Sequence, residues 1–245
     1  MLLSSLLPLP LDYRLVVLVR LTRSTLHRFG VEAVRYSPAN FAHLRLVEIL
    51  LSGRVDVVVD GGANDGKWAM QRRAEGFRGR IVSVEPQADS FRKLDAHAAS
   101  DPNWSVVHAA IGSSDGEASL YVDPDPTSSS LFGADGDPRM VERVRLLRLD
   151  TISADVVGPG DAVFVKLDLE GNELEALRGG EATLRQTVGL MVELGLRPPT
   201  GAACIEAVIG ELRAAGFVMV AFEPNMRDTS GNVVLANGLF LPLSG

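Results

Sequence analysis

The sequence lacks the residues that would cross-link the chain or bind a metal through sulfur. Cys204 is the only cysteine among 245 residues, which excludes an internal disulfide and a cysteine zinc cluster. It falls in a predicted helix, Ala202–Ala215, where we expect it to be a small, buried apolar side chain. A reducing compartment, the cytoplasm, fits this composition.

Positive charge is also scarce. The chain has 24 Lys and Arg against 31 Asp and Glu, a net charge of −7 and a pI near 5.2. Because nucleic-acid grooves need clustered Lys and Arg, we expect no nucleic-acid partner. The 46% apolar content is enough for the core of one α/β domain.

Long uncharged apolar runs are absent too. Met1–Pro10 is apolar, but no basic segment precedes it and two prolines interrupt it. Charged residues break the next run, so we expect neither a signal peptide nor a membrane span. Leu11–Phe29 is predicted to be an amphipathic helix that packs on the core or contributes to a homodimer.

The apolar pattern from residue 53 onward alternates between the strand and helix periods. The predicted helices are Leu11–Phe29, Asn40–Ser52, Lys67–Glu75, Ser90–Ala99, Glu173–Leu177 and Ala202–Ala215. The predicted strands are Val55–Asp60, Gly79–Glu85, Ser105–Ala109, Glu117–Val122, Arg143–Leu149, Ala162–Asp168, Val188–Leu194, Phe217–Phe222 and Leu239–Leu243. Such alternation implies right-handed crossovers and a parallel sheet. We expect a helical extension over residues 1–52 and one α/β domain over residues 53–245.

A glycine-rich turn, Asp60-Gly-Gly-Ala-Asn-Asp-Gly66, follows the first predicted strand directly. Glycine lets the backbone adopt positive φ and approach a ligand closely, and the helix start beyond it favours anionic groups. Glu85 ends the next strand, where an acid can accept hydrogen bonds from ribose hydroxyls. The pattern therefore predicts nucleoside binding, with a ligand-free tight turn as the alternative.

The residue types at particular positions of this turn indicate which nucleoside it binds. Aligned on Gly61 and Gly66, it has Ala63 where the dinucleotide fingerprint has its second glycine. Aligned on Asp60, it resembles the S-adenosylmethionine (SAM) loop of class I methyltransferases, with Asn64 in place of the middle glycine. Asn is the other residue that tolerates a left-handed backbone well, so this replacement is mild.

A second polar cluster, Lys166-Leu-Asp168-Leu-Glu170, ends a buried strand further along. In open α/β sheets the ligand lies outside the carboxyl ends of the strands, so Asp168 should face the cleft. An internal ion pair with Lys166 is the alternative for Asp168. Glu193, near the end of the following strand, is a further acid that could converge there.

Taken together, these segments resemble the FkbM family of SAM-dependent methyltransferases over roughly residues 55–195. The matching pieces are Asp60-Gly-Gly-Ala-Asn-Asp-Gly66, Val84-Glu-Pro86, His108-Ala-Ala-Ile-Gly112, Ser129-Ser-Leu131, Leu149-Asp-Thr151, Lys166-Leu-Asp-Leu-Glu-Gly171, and Glu173 with Leu177-Arg-Gly179. Asp65 occupies the position that is more usually apolar in the family's Gly-Ala-Asn-x-Gly loop. The resemblance implies a class I methyltransferase fold, a Rossmann-like, mostly parallel seven-stranded sheet flanked by helices. It also implies O-methylation of a sugar, oligosaccharide or glycosylated natural product.

The resemblance also implies roles for individual residues. Cofactor-binding residues would be Asp60, Gly61, Gly62, Ala63, Asn64, Glu85, Pro86, Ala110, Ile111 and Asp168. Asp168 would act at the acceptor oxygen with Lys166 as its partner, and His108 is a second candidate base. If a metal takes part, Asp168, Glu170 and Glu193 would hold it, and oxygen ligands alone favour Mg²⁺.

Two other functions stay open at this stage. An NAD-dependent oxidoreductase is disfavoured by Ala63 and by the lack of a Tyr-x-x-x-Lys pair. A non-catalytic SAM-binding protein is the other alternative. The breaker-rich loop Asp123–Arg139 is predicted to be a lid over the site.

Overall fold

The computed structural model describes residues 25–26, 28–31, 36–39, 41–123, 129–133, 137, 139–198 and 201–243. The chain forms two compact units, Met1–Asn40 and Phe41–Gly245. In the first unit, residues 25–26 are helical and residues 28–30 form a turn. Most of the predicted helix Leu11–Phe29 lies outside the described residues, so its role stays a prediction.

The larger unit alternates strands and helices, as the apolar pattern predicts. Its helices are α1 (Ala42–Leu51), α2 (Lys67–Glu75), α3 (Ala88–Ala98), α4 (Leu149–Ala154), α5 (Glu173–Arg178), α6 (Glu181–Leu184) and α7 (Ile205–Ala214). Its strands are β1 (Val57–Gly61), β2 (Arg80–Glu85), β3 (Trp104–His108), β4 (Ala110–Gly112), β5 (Gly116–Val122), β6 (Met140–Arg148), β7 (Val163–Leu167), β8 (Thr187–Gly195), β9 (Phe217–Arg227) and β10 (Val233–Pro242).

Seven strands form the central sheet in the order β3-β2-β1-β7-β8-β10-β9. The first five of these pair in parallel, and β10 runs antiparallel to both of its neighbours. The chain order reverses between β1 and β7, which both have neighbours on either side. This switch point is where open α/β sheets bind their ligands. The predicted class I methyltransferase fold is therefore confirmed.

The sheet is apolar on both faces, and helices cover each face. On one face α1, α2 and α3 pack against Val58, Ile81 and Phe164. On the other, α4, α5 and α7 pack against the alternate residues of the same strands, such as Val59 and Val165. The central strands are consequently buried over their whole length, which explains their continuous apolar runs.

Three further strands form a separate sheet in the order β4-β6-β5. It has its own small core of Ala110, Leu120 and Val144. Residues 110–112 thus leave the central sheet directly after β3 and pair with β6 instead. This sheet positions the segment around Ser130 beside the carboxyl edge of the main sheet.

The structure departs from the sequence-based prediction in detail. The short elements β4, α4 and α6 were not predicted, and the helix predicted over Asn40–Ser52 is α1, a part of the larger unit. Strand β9 extends five residues beyond the predicted Phe222. Within the described residues, no helix is long and apolar enough to cross a bilayer.

Candidate active site

The glycine-rich turn between β1 and α2 has the left-handed backbone that its composition predicts. Gly62, Asn64 and Gly66 have φ values of 68°, 49° and 85°. Asn64 therefore occupies a conformation that few other residues besides glycine adopt readily. Its side-chain oxygen accepts a hydrogen bond from Ser90 Oγ at 2.9 Å, which ties the turn to α3.

Gly62 also lies too close to the next strand for any side chain. A Cβ atom at this position would stand 1.8 Å from the carbonyl oxygen of Asp168. The Asp168 N–H donates to the Gly61 carbonyl at 3.2 Å, so the backbones after β1 and β7 are in direct contact. The two motifs predicted to bind a cofactor and an acceptor therefore form one surface.

The buried Lys166 side chain contacts both the glycine turn and Asp168. Its Nζ donates to the carbonyl oxygens of Gly61 and Gly62 at 3.3 and 2.9 Å. It also lies 3.2 Å from Asp60 Oδ1 and 3.3 Å from Asp168 Oδ2. Burial disfavours its charge, yet the two carboxylates raise the pKa of the Lys166 ammonium. Lys166 is thus a buried cation that positions the glycine turn.

Glu85, the last residue of β2, presents its carboxylate beside the glycine turn. Its two oxygens accept hydrogen bonds from the backbone N–H groups of Asn64 and Gln87, both at 2.8 Å. Burial raises the pKa of Glu85 to about 7, although these two donors oppose the shift. Each oxygen keeps acceptor capacity for a ligand hydroxyl.

A cavity, here called the glycine-loop cavity, opens along these residues. Its lining is Gly62, Asn64, Val84, Glu85, Pro86, Ala109, Ala110, Ile111, Leu120, Ser129, Leu131, Asp168, Leu169, Glu170 and Asn172. The structure thus gathers Gly62, Asn64, Glu85, Pro86, Ala110, Ile111 and Asp168 around one space. It does not place Asp60, Gly61, Ala63 or Lys166 in that lining.

Three carboxylates meet at the rim of this cavity. Asp168 and Glu170 follow β7, Glu193 is near the end of β8, and one oxygen of each lies within 4.8 Å of the others. Burial, followed by the negative charges of Asp168 and Glu170, raises the pKa of Glu193 to about 9. Such a group calls for a proton, a metal ion or another cation beside it.

Glu173, the first residue of α5, shapes the loop that carries two of these acids. Its Oε1 accepts from the N–H groups of Leu169 and Gly171 at 2.7 and 3.3 Å. Glu170 has φ of 53° and Gly171 has φ of 105°, so the loop makes a sharp left-handed turn. Burial raises the pKa of Glu173 to about 7, against the pull of these backbone donors.

The model of the methyltransferase FkbM domain matches residues 60–219, a range that spans the glycine turn, Glu85, the acidic cluster and β8. The chain belongs to the FkbM methyltransferase domain family. A comparison with curated proteins found no match.

Solved structures similar to this chain are also methyltransferases. The FkbM methyltransferase of Methylobacillus flagellatus KT is 15% identical with a TM-score of 0.47, over 77% of this chain and 44% of that one. Aeropyrum pernix fibrillarin, with natively bound SAM, is 12% identical with a TM-score of 0.45, over 77% and 66% of the two chains. An rRNA methylase from Streptococcus thermophilus is 14% identical with a TM-score of 0.46, over 86% and 100%. The chain thus spans less than half the length of the M. flagellatus protein.

One FkbM motif residue, His108, lies apart from the glycine-loop cavity. Its Nε2 is 2.9 Å from the Pro86 carbonyl oxygen, and its ring stacks on Phe91 with centroids 4.5 Å apart. His108 therefore contacts Pro86, which lines the cavity, but is not itself in the lining. The base role predicted for His108 would require it to leave these contacts.

Other residues of this FkbM domain contribute to the site without having been singled out from sequence. Asn172 lines the glycine-loop cavity and donates from Nδ2 to the Ile111 carbonyl at 2.7 Å. It stands inside the Lys166–Glu173 motif, so its position was a usable signal. Ala109 likewise stands inside the His108–Gly112 motif, whereas Leu120 carries no such signal, because its role depends on how the small sheet docks.

A second cavity, here called the carboxylate cavity, lies on the other side of Glu170. It is lined by Ser130, Phe132, Arg139, Glu170, Gly171, Glu173, Glu193, Gly195, Arg197, Pro198, Ala203, Met226, Val234 and Leu235. Its volume of about 310 Å³ is in the range of small-molecule sites. Most of these residues belong to the end of β8, the segment after it, and the β9–β10 hairpin, which periodicity alone does not bring together.

Cys204 corrects one expectation. It is exposed rather than buried, and it precedes the first residue of α7 as its N-cap. The helix predicted from Ala202 in fact begins at Ile205. Residues 202–204 therefore lie outside the helix, and Cys204 is on the surface.

Proposed function

We propose that this chain is a SAM-dependent O-methyltransferase that acts on a hydroxyl group of a sugar, an oligosaccharide or a glycosylated natural product. The observation that carries the proposal is the meeting of a nucleoside-type cavity with three carboxylates at Asp168, Glu170 and Glu193. Family membership supports methyl transfer, and the carboxylates supply what a weakly acidic hydroxyl needs in order to react.

The glycine-loop cavity fits SAM through a small set of contacts. Glu85 would accept hydrogen bonds from the ribose hydroxyls, as acids at the end of a second strand do. Gly62 and Asn64 would lie along the methionine part, where the missing side chain of Gly62 allows close approach. Ala110 and Ile111, with Pro86, would form the apolar surroundings of the adenine ring.

Methyl transfer is an in-line displacement, and alignment contributes much of its acceleration. SAM, when bound, supplies an electrophilic methyl group on a sulfonium. Asp168 takes the hydroxyl proton from the acceptor while the acceptor oxygen bonds to the methyl carbon and the carbon–sulfur bond breaks. Lys166, 3.3 Å from Asp168, fixes the position of the carboxylate.

The acidic cluster also fits a divalent cation. All three side chains offer oxygen ligands, and burial together with the neighbouring carboxylates raises the pKa of Glu193, which favours a cation beside it. Mg²⁺ is the natural ion for such ligands, and it would polarise the acceptor oxygen. We propose Asp168, Glu170 and Glu193 as its ligands.

The test is transfer of a labelled methyl group from SAM to a panel of glycosides, assayed with Mg²⁺ and again after EDTA and metal-free buffer exchange. Calorimetry with SAM and with NADH accompanies it. Methylation of a hydroxyl together with SAM binding supports the proposal. Binding of NADH but not SAM would refute it, and full activity after EDTA would remove the metal while leaving Asp168 as the base.

A further inference from the structure

The two cavities share a wall made of one short segment, residues 129–132. Ser129 and Leu131 line the glycine-loop cavity, whereas Ser130 and Phe132 line the carboxylate cavity. Successive residues of the segment therefore contribute to different cavities. The segment is held in place because Ser130 pairs with Tyr121 through backbone hydrogen bonds of 2.9 and 3.1 Å.

The loop after β7 forms the rest of the partition. Asp168 and Leu169 line only the glycine-loop cavity, Gly171 lines only the carboxylate cavity, and Glu170 lines both. Ser130 Oγ donates to the Glu170 carbonyl at 2.8 Å, which joins the loop to the segment. Glu170 therefore stands at the boundary of the two cavities, and one of its carboxylate oxygens lies within 4.8 Å of an oxygen of Asp168 and of an oxygen of Glu193.

The ring of Phe132 has a defined position in the carboxylate cavity. It lies against two glycines, 3.3 Å from where a Cβ of Gly171 would stand and 3.0 Å from where a Cβ of Gly201 would stand. Side chains at either glycine would displace the ring. Pro198, Met226 and Leu235 are further apolar residues in the lining of the same cavity.

The two arginines of the carboxylate cavity are committed to acids of their own. Arg139 pairs with Asp137 at 2.7 Å and donates to the Phe132 carbonyl at 2.7 Å, and Arg197 pairs with Asp228 at 3.1 Å. Each arginine thus already has an acid partner, and Glu170, Glu173 and Glu193 line the same space. Among the described lining residues, no arginine or lysine without an acid partner is present to bind an anionic ligand.

We propose that the carboxylate cavity is the acceptor site and that Phe132 determines which acceptors fit it. The acceptor is a neutral hydroxylated ring that bears an apolar alkyl or aryl group. Its reactive hydroxyl approaches Asp168 beside Glu170, and its apolar group packs on Phe132. This inference rests on the proposed methyltransferase function, and it adds a binding site and a specificity residue to it.

A crystal structure of the complex with SAM tests the geometry. The sulfonium methyl group is expected to point toward Glu170 and the carboxylate cavity. A methyl group directed away from Glu170 would overturn the inference while leaving the methyltransferase function intact. Failure of SAM to bind would instead overturn the proposed function.

Ligand-observed NMR with phenyl β-D-glucoside and S-adenosylhomocysteine tests the wall. Phe132→Ala is expected to weaken the glucoside about tenfold or more, through loss of an aromatic contact, with S-adenosylhomocysteine affinity unchanged. Leu131→Ala, from the other face of the same segment, is the matched control. It should weaken S-adenosylhomocysteine a few-fold and spare the glucoside. Equal binding of the glucoside to wild type and Phe132→Ala, or no binding to wild type, would overturn the inference.

Discussion

At the scale of single residues, Glu85 is a buried acid whose two oxygens are held by the backbone. Both accept backbone hydrogen bonds that fix their direction, as is usual for buried polar groups. Of the charged groups around it, Lys166 lowers the pKa of Glu85 and Asp60 raises it. The result is a carboxyl group that changes its charge near neutral pH.

We expect SAM affinity to depend on this ionisation. Ribose hydroxyls donate to the carboxylate form, so the dissociation constant should rise as pH falls below about 7, by up to tenfold per unit, and be flat above it. Glu85→Gln should weaken SAM by about 1–3 kcal/mol and abolish the pH dependence. Calorimetry between pH 5.5 and 8.5 measures both effects, and Glu117→Gln on the exposed face of β5 is the control. An unaltered pH profile in Glu85→Gln would assign the effect elsewhere.

Asp168 should affect the chemical step rather than cofactor binding. Asp168→Asn keeps the shape of the side chain but cannot take a proton, so turnover should drop by roughly 10²-fold or more. The dissociation constant for SAM should stay within a few-fold of wild type, because Lys166 still holds Asp60 and the Gly62 carbonyl. Single-turnover assays with calorimetry separate the two quantities. Normal turnover would move the base role to Glu193 or His108.

At the scale of secondary-structure elements, the site depends on how closely β1 and β7 approach each other beyond their last paired residues. Gly61 pairs with Leu167 in the sheet, and the next residues, Gly62 and Asp168, are in backbone contact. Because the two strand ends pack tightly, there is no space for a side chain at Gly62. The backbone of the glycine turn is therefore part of the acidic cluster's support.

Gly62→Ala should disrupt this support. The added methyl group meets the Asp168 carbonyl and the residue must keep φ near 68°, so both SAM binding and thermal stability should fall sharply. Gly210→Ala is the matched control, because Gly210 lies in α7 with no atom within 4 Å of an added Cβ. That variant should be stabilised by about 0.5–1 kcal/mol. A Gly62→Ala protein that binds SAM normally would contradict the described contact.

At the scale of the whole molecule, several buried carboxyl groups share one edge of the sheet. Burial and mutual repulsion raise the pKa values of Glu85, Glu173 and Glu193 to about 7, 7 and 9. In the unfolded chain these groups ionise near pH 4.3. The folded state thus holds more protons, and folding stability is lost as pH rises from about 4.5 to 9.

Glu193→Gln should remove part of that loss. The amide needs no proton at alkaline pH, so the variant should melt several degrees above wild type at pH 8.5 and close to it at pH 4.5. Thermal melts at both pH values, without and with added Mg²⁺, measure this effect. If a cation occupies the cluster, Mg²⁺ should raise the melting temperature of wild type and have less effect on the variant. Equal melting temperatures of the two proteins at pH 8.5 would contradict the raised pKa.

The sequence was sufficient for the architecture and for half of the site. The central strands carry continuous apolar runs, and Asp60–Gly66, Glu85 and Asp168 follow such runs directly, so their positions at one sheet edge were predictable. The carboxylate cavity was not, because Phe132 and Arg197 come from segments without periodicity and Met226 lies in the part of β9 beyond its predicted end. The orientation of β10 and the separate sheet of β4, β5 and β6 are likewise set by tertiary packing, which a local pattern does not encode.

The exposed thiol of Cys204 has a practical consequence. The chain contains no other cysteine, and Ala203, the residue before it, lines the carboxylate cavity. A maleimide dye or a spin label will therefore attach at one place without prior mutagenesis. The label will stand at the cavity's rim, where its emission or mobility can follow occupancy in real time.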